Sequence, residues 1–162
     1  MNSINGNELV RKLFKDKSYR PTAVCIIKND KNEFLLVRSS RNNNHWYFPQ
    51  GGIHFDETIQ DAFFRELYEE LSIMNLELST PEINLHYGEL TIRNYDLGEF
   101  NHGKAYFFVF SNYYGPGRFY LKKDEVNKYK WADSKLTKKL FSQSMKAKAD
   151  LNIEAMNKAL KK

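Results

Sequence analysis

Apolar and polar positions change period several times along this chain. Over residues 7–14, Leu9, Val10, Leu13 and Phe14 group at helical spacing and predict a short amphipathic helix. Residues 22–27 are apolar and rich in β-branched side chains, which predicts a strand. The Asn29-Asp30-Lys31-Asn32 turn and the run over 33–38 complete a hairpin. A polar loop over 39–44 and a short aromatic strand over 45–48 lead into Pro49-Gln50-Gly51-Gly52, and a helix is expected over 57–71. Further strands follow over 76–78, 83–87 and 90–92, then a polar loop over 94–103. Residues 105–112 are strongly apolar and aromatic and predict a buried strand, broken at Tyr114-Gly115-Pro116-Gly117. A last strand over 129–132 precedes Asp133, which can cap a helix over 134–141. A second helix over 145–160 carries Leu151, Ala155, Met156 and Leu160 on one side. Strands through the middle, one inserted helix and others at the end predict an α/β chain with a mixed sheet between helical layers.

The helix over 57–71 breaks the usual amphipathic rule. At about 100° per residue, Glu66 and Glu70 point the same way as Ile59 and Phe63. An ordinary surface helix keeps its charges opposite its apolar stripe. Here one face starts apolar and becomes anionic one or two turns later, as expected of a helix that leaves a core to line a charged pocket. Glu66, Glu69 and Glu70 also repel one another, by roughly 0.2–0.5 kcal/mol per pair in an isolated helix. A hard divalent cation such as Mg²⁺ or Mn²⁺ would relieve that repulsion. The competing reading is a solvated acidic surface. Asp56 is the expected cap, with Glu57 in the first turn, where carboxylates are favoured. Arg65 is expected to pair with Asp61 or Glu69 and can also orient a catalytic carboxylate. Gly51 and Gly52 allow either a simple turn or the close approach of a ligand to the main chain.

The chain has 162 residues, enough for one domain over 1–162 with a proper core. Twelve Phe and ten Tyr supply much of that core. Cys25 is the single cysteine, which excludes an internal disulfide framework and a Cys-based zinc site. It lies in an apolar run, so it is expected to be buried and inert. There is no signal peptide, transit sequence or apolar run of membrane length, which leads to the expectation of a soluble cytoplasmic protein with no membrane partner. The formal net charge of +5 favours anionic partners through long-range steering, unless it is a basic surface without consequence. Lys135, Lys138, Lys139, Lys146, Lys148, Lys158, Lys161 and Lys162 crowd the C-terminal helical segment, over about 134–162. They read as solvated helix surface or as an RNA-facing patch.

Gly51, Glu57, Arg65, Glu66, Leu67, Glu69, Glu70 and Ile73 fall on fixed positions of a known signature. Residues 51–73 resemble the Nudix box, G-x5-E-x7-R-E-U-x-E-E-x-G-U, where U is a bulky apolar residue. The one departure is Ser72, where the family usually has a glycine to end the helix in a left-handed conformation. The resemblance implies a Nudix-type α/β/α sandwich with a mixed central sheet, over roughly residues 20–142. It implies Mg²⁺, or Mn²⁺, held by Glu66, Glu69 and Glu70, with the backbone carbonyls of Gln50 or Gly51 as further ligands. Glu66 is favoured as general base, with Glu69 and Glu125 as rivals, and Arg65 belongs to the catalytic group. Glu57 is expected to brace the loop and helix with Arg65. Glu125 lies six residues before Trp131, where the RNA 5′-pyrophosphohydrolase and dinucleoside polyphosphate hydrolase branch has a metal-site Glu; Asp124 is its backup.

The strings Trp46-Tyr47-Phe48-Pro49-Gln50-Gly51-Gly52-Ile53 and Tyr19-Arg20-Pro21 resemble that same branch. Arg38, Arg41 and Lys104 are candidate phosphate contacts, alongside Gly51 and Gly52, or else ordinary surface bases. Tyr87, Tyr106 and Phe108 can stack on a nucleobase or belong to the core. The resemblance therefore implies a Mg²⁺-dependent hydrolase. It would cleave a phosphoanhydride of a dinucleoside polyphosphate or of the 5′-triphosphate end of RNA. Alternatives are a nucleoside triphosphate or nucleotide-sugar pyrophosphohydrolase and, from another class, a non-catalytic nucleotide- or RNA-binding module.

Overall fold

The computed structural model describes residues 5–41, 45–92 and 97–162. The polar loops expected over 39–44 and 94–103 lie partly outside them. In chain order the elements are α1 Gly6–Asp16, β1 Tyr19–Lys28, β2 Phe34–Ser39, β3 Trp46–Tyr47, β4 Gln50–Gly52 and α2 Ile59–Leu71. A 3-10 turn at Asn75–Glu77 follows, then β5 Glu82–Thr91, β6 Gly103–Asn112, β7 Val126–Ala132, α3 Ser134–Phe141 and α4 Lys146–Ala159.

The sheet runs β3-β2-β1-β6-β5, with β4 paired to β1 and β7 paired to β2. β1 and β6 are parallel along their whole length, from Tyr19↔Gly103 to Lys28↔Asn112, and the other pairs are antiparallel. β1 and β2 meet only at Lys28↔Phe34. Beyond that point the two strands fork, and β4 takes the place beside β1 at Thr22, Ala23 and Val24.

Both faces of the central strands are covered, which is why β1 and β6 read as unbroken apolar runs without alternation. Ala23, Cys25 and Ile27 of β1, with Ala105, Phe107 and Val109 of β6, pack under α1 and α2. Val24 and Ile26, with Tyr106, Phe108 and Phe110, pack against α3 and α4 through Phe141, Ala149, Ala155, Met156 and Ala159. The result is the α/β/α sandwich with a mixed sheet that the sequence predicts. Cys25 is fully buried, and burial pushes its thiol well above the ordinary range, so it is inert as expected.

Several boundaries differ from expectation. The strands expected over 83–87 and 90–92 are one strand, β5, because Gly88 pairs with Tyr106 without interrupting the ladder. The strand expected over 76–78 is a 3-10 turn, and only Leu78 makes an isolated bridge, to Tyr113. Gly51 and Gly52 are not a bare turn but part of β4. Leu160, expected on the buried side of the last helix, is exposed. Asp133 does cap α3, accepting from the Leu136 amide at 2.8 Å.

Candidate active site

α2 begins two residues later than the sequence suggests. Thr58, not Asp56, is its cap: the hydroxyl accepts from the Asp61 amide at 3.1 Å while Asp61 accepts from the Thr58 amide at 3.4 Å. This reciprocal pair satisfies two helix-start donors at once. Glu57 is thereby released to the preceding turn. At the other end Ser72 takes the left-handed conformation, with φ 57°, and its amide donates to the Tyr68 carbonyl at 2.9 Å. The helix-ending geometry of the box is therefore kept without glycine.

The buried face of α2 is Ile59, Ala62, Phe63, Glu66, Leu67, Glu70 and Leu71, as the helical angles predict. Glu66 is 7% exposed and Glu70 4%, whereas Glu69 is exposed. Gly51 lies directly against the Glu66 carboxylate, and a Cβ at that position would overlap it. The acid therefore packs against a strand whose side chain has been deleted to admit it.

Arg65 organises the surroundings. Its guanidinium donates twice to Glu57, at 2.6 and 2.9 Å, once to the Gly52 carbonyl at 2.8 Å, and to Glu66 at 2.7 Å. Glu69 completes the set at 3.3 Å; the alternative partner, Asp61, is used by the cap. Burial alone would push the Glu57 carboxyl up, but the Arg65 hydrogen bonds and the His54 amide hold it below the usual range. The same bonds raise Arg65. Glu57 thus braces the loop to the helix, as the resemblance implies.

Glu66 and Glu70 show the opposite balance. Burial raises the Glu66 carboxyl in spite of Arg65. Glu70 is pushed up to about 9 by burial and by the charges of Glu66 and Glu125. One Glu70 oxygen is buried with no hydrogen-bond partner. An orphaned buried carboxylate oxygen costs about 1–3 kcal/mol or more, so it calls for a cation. The segment bearing Glu125 is hung on this helix end by a bond from the Lys122 amide to the Glu70 carbonyl at 3.0 Å. Glu125 itself pairs with Lys122 at 3.1 Å. Among the described residues, no three Asp, Glu, His or Cys side chains form a closed metal cluster. The donor chemistry fits a hard cation all the same: oxygen donors only, an unsatisfied buried carboxylate at Glu70, and a glycine cradle beside Glu66. Tyr47 was not anticipated here, yet its phenol is raised by burial and by the charges of Glu70 and Glu125.

The expected phosphate contacts are separated. Arg41 is exposed on its loop. Arg38 is not brought to the acids: it lies on the α3 side of the sheet, donating to Asn127 at 3.0 Å and lying over Trp46. β-strand alternation decides this, because Arg38 follows Phe34 and Leu36 onto the face opposite α2. Lys104 also faces that side, in a cavity of about 340 Å³ shared with His45, Tyr106, Met145 and Lys148. Burial and the neighbouring Lys104 push Lys148 down to about 8, and burial and Arg20 lower Lys104. The Arg20 guanidinium reaches Gly52, lying 3.0 Å from where a Cβ would stand. Gly51 therefore meets an acid on one face of β4 and Gly52 a cation on the other. Sequence reasoning did not single out Arg20 or Lys148 as site residues. Arg20 had a usable signal in its strand-start position, but Lys148 was one lysine among many in the C-terminal segment. Phe108 is fully buried, Tyr87 donates to Glu89 at 2.6 Å on the α1 side, and of the three aromatic candidates only Tyr106 borders the cavity.

This sheet between helical layers defines a sandwich shared with solved hydrolases. The E. coli dihydroneopterin triphosphate pyrophosphohydrolase superposes with a TM-score of 0.69, covering 86% of this chain and 95% of that one at 17% identity. A C. elegans Ap4A hydrolase gives 0.62, covering 82% and 93% at 21% identity. Residues 18–147 match the NUDIX domain, and the chain belongs to the Nudix family. An RNA pyrophosphohydrolase of Sulfurovum sp. (strain NBC37-1) is 42% identical over 66 residues, which is 38% of this chain and 42% of that protein. One from Marinomonas sp. (strain MWYL1) is 46% identical over 55 residues, 34% of each chain. The matched stretches thus span about two-fifths or less of the length of these relatives.

Proposed function

We propose that this chain is a divalent-metal-dependent pyrophosphohydrolase that cleaves a phosphoanhydride bond of a nucleotide, with the 5′-triphosphate end of RNA as its favoured substrate. The observation that carries the reading is the pair of buried acids, Glu66 and Glu70, one of whose oxygens has no partner. The relatives named RNA pyrophosphohydrolase favour RNA over the second reading, a dinucleoside polyphosphate.

Glu66, Glu69, Glu70 and Glu125, with the Gln50 or Gly51 carbonyl, would hold Mg²⁺ or Mn²⁺. When bound, the cation neutralises phosphate charge and makes a water more acidic. Glu66 is the favoured proton acceptor: it is buried, its basicity is raised, and Arg65 fixes its orientation. Arg65 acts as a positioning residue, tying Glu66 and Glu69 to the Glu57 loop. Arg20, Lys104 and Lys148 form a cationic line on the far side of β4 that suits the non-reacting phosphates and the first nucleotide.

Glu69→Gln and Glu70→Gln are expected to lower turnover by about two to four orders of magnitude, a range typical for removal of one essential polar group. Circular dichroism should remain that of the parent. Phosphate and pyrophosphate release would be followed with triphosphorylated RNA, a dinucleoside tetraphosphate and free triphosphates, with and without Mg²⁺. Unchanged turnover in both variants would overturn the assignment.

A further inference from the structure

On the face opposite α2, three cations and a tryptophan stand in register across three strands. Lys128 of β7 lies directly opposite Arg38 of β2, and Arg38 directly opposite Trp46 of β3. Lys130 is two residues along on the same face, with its ammonium 4.8 Å from the Trp46 ring centre, and the Arg38 guanidinium is 5.8 Å from it. These side chains line an open groove of about 440 Å³, closed on one side by Leu140 and Gln143. Like charges directly opposite each other weaken an antiparallel pair. Among the described residues, none of the three cations forms a salt bridge. A cationic ladder flanking an aromatic ring is suited to a partner that is polyanionic and has flat faces to stack.

Along the chain, the groove lies beside the cavity that holds Lys104 and Lys148. His45 and Ser144 line the cavity, while their chain neighbours Trp46 and Gln143 line the groove. Lys128 lies three residues beyond Glu125, about 10 Å at the rise of an extended strand. We propose that this groove is a second contact for RNA, one that follows the strand away from the cleaved 5′ end by pairing phosphates with Arg38, Lys128 and Lys130 and stacking a base near Trp46. The inference rests on the RNA reading above and adds to it a means of separating RNA from dinucleotides, which lack the continuing run of phosphates that the groove would pair.

The test uses the full chain and Lys128→Gln/Lys130→Gln, in which one side chain is exposed and the other half-exposed, so folding is not at stake. Substrates are a 5′-triphosphorylated RNA of about twelve nucleotides, within the span such grooves cover, and a dinucleoside tetraphosphate. For RNA, KM should rise about tenfold with kcat unchanged, and the salt dependence of log KM should become shallower by about 1.4, from two lost phosphate contacts at ~0.7 each. The dinucleotide should be turned over as before. Equal losses on both substrates, or no change with RNA, would overturn the groove. Binding of a fluorescent 5′-hydroxyl RNA of the same length, which has no scissile anhydride, reads the groove apart from catalysis. If the parent binds that RNA and the variant does so about tenfold more weakly, the groove stands even if no substrate is hydrolysed. Displacement of the RNA by polyglutamate or anionic vesicles at equal charge concentration would overturn RNA as the occupant.

Discussion

Two side chains show how burial shifts the protonation of ordinary residues. Glu70 cannot use both oxygens within the protein, and it sits among other acids. Lys148 is its mirror image: a half-buried ammonium beside Lys104, with its pKa lowered to about 8. Between pH 8 and the ordinary lysine value of 10.5 the folded chain binds fewer protons at this site than the unfolded chain. Stability therefore rises with pH through that window, and the penalty is present in full below it. A bound anion reverses the balance, because it favours the charged form. Affinity for a nucleotide is thus expected to fall as the pH passes about 8. In Lys148→Met the KM should be higher at neutral pH and lose most of this dependence. A KM–pH profile identical to that of the parent would show that no phosphate reaches the cavity.

At the scale of elements, α2 carries the buried acids and its two ends decide where they stand. The Thr58–Asp61 cap sits two residues past Asp56, which leaves Glu57 free to clasp Arg65. Ser72 ends it at a positive φ that L side chains tolerate at a cost of about 1 kcal/mol. Its hydroxyl bond to the Tyr120 carbonyl is long, at 3.5 Å, so little would be lost with it. Ser72→Gly should therefore stabilise the protein by about 0.5–1 kcal/mol, after the entropic cost of glycine. Thermal unfolding would show an increased Tm with unchanged turnover, and a decrease would mean that the Ser72 hydroxyl matters more than its backbone. The cap could be read from the sequence only ambiguously, since Asp56 and Thr58 are both competent N-caps. Tertiary contact settles the choice: the Asn7 side chain accepts from the Ile59 amide at 3.0 Å, fixing the first turn from α1.

At the scale of the whole molecule, the sheet separates acids from bases. The acidic helix occupies one face, and the Lys104 cavity and the Trp46 groove occupy the other, under α3 and α4. The match to the family ends at residue 147, near the start of α4, yet this helix completes the second core. Met156 is fully buried there with Ala155 and Ala159. Met156→Ala should cost about 2–5 kcal/mol, read as a lower urea midpoint with an unchanged m-value. A shift below ~0.5 kcal/mol would mean that α4 is not integral to the fold.

The chain by itself determined what depends on near neighbours. Glu66 and Glu70 share the Ile59–Phe63 face because 3.6 residues make a turn, and the apolar runs of β1 and β6 announce burial on both sides. The same local rule placed Ala155 and Met156 on the buried side of α4. Tertiary structure alone decided which distant groups meet. Arg38 resembled a phosphate ligand, but strand alternation turns it from the acids, and only the pairing of β2 with β3 and β7 places it beside Trp46 and Lys128. Lys148 stood out from its lysine-rich surroundings only once α4 had docked. Register across the sheet and helix docking arise from side-chain packing between segments far apart in the chain, and the local periodicity of either partner does not contain that information.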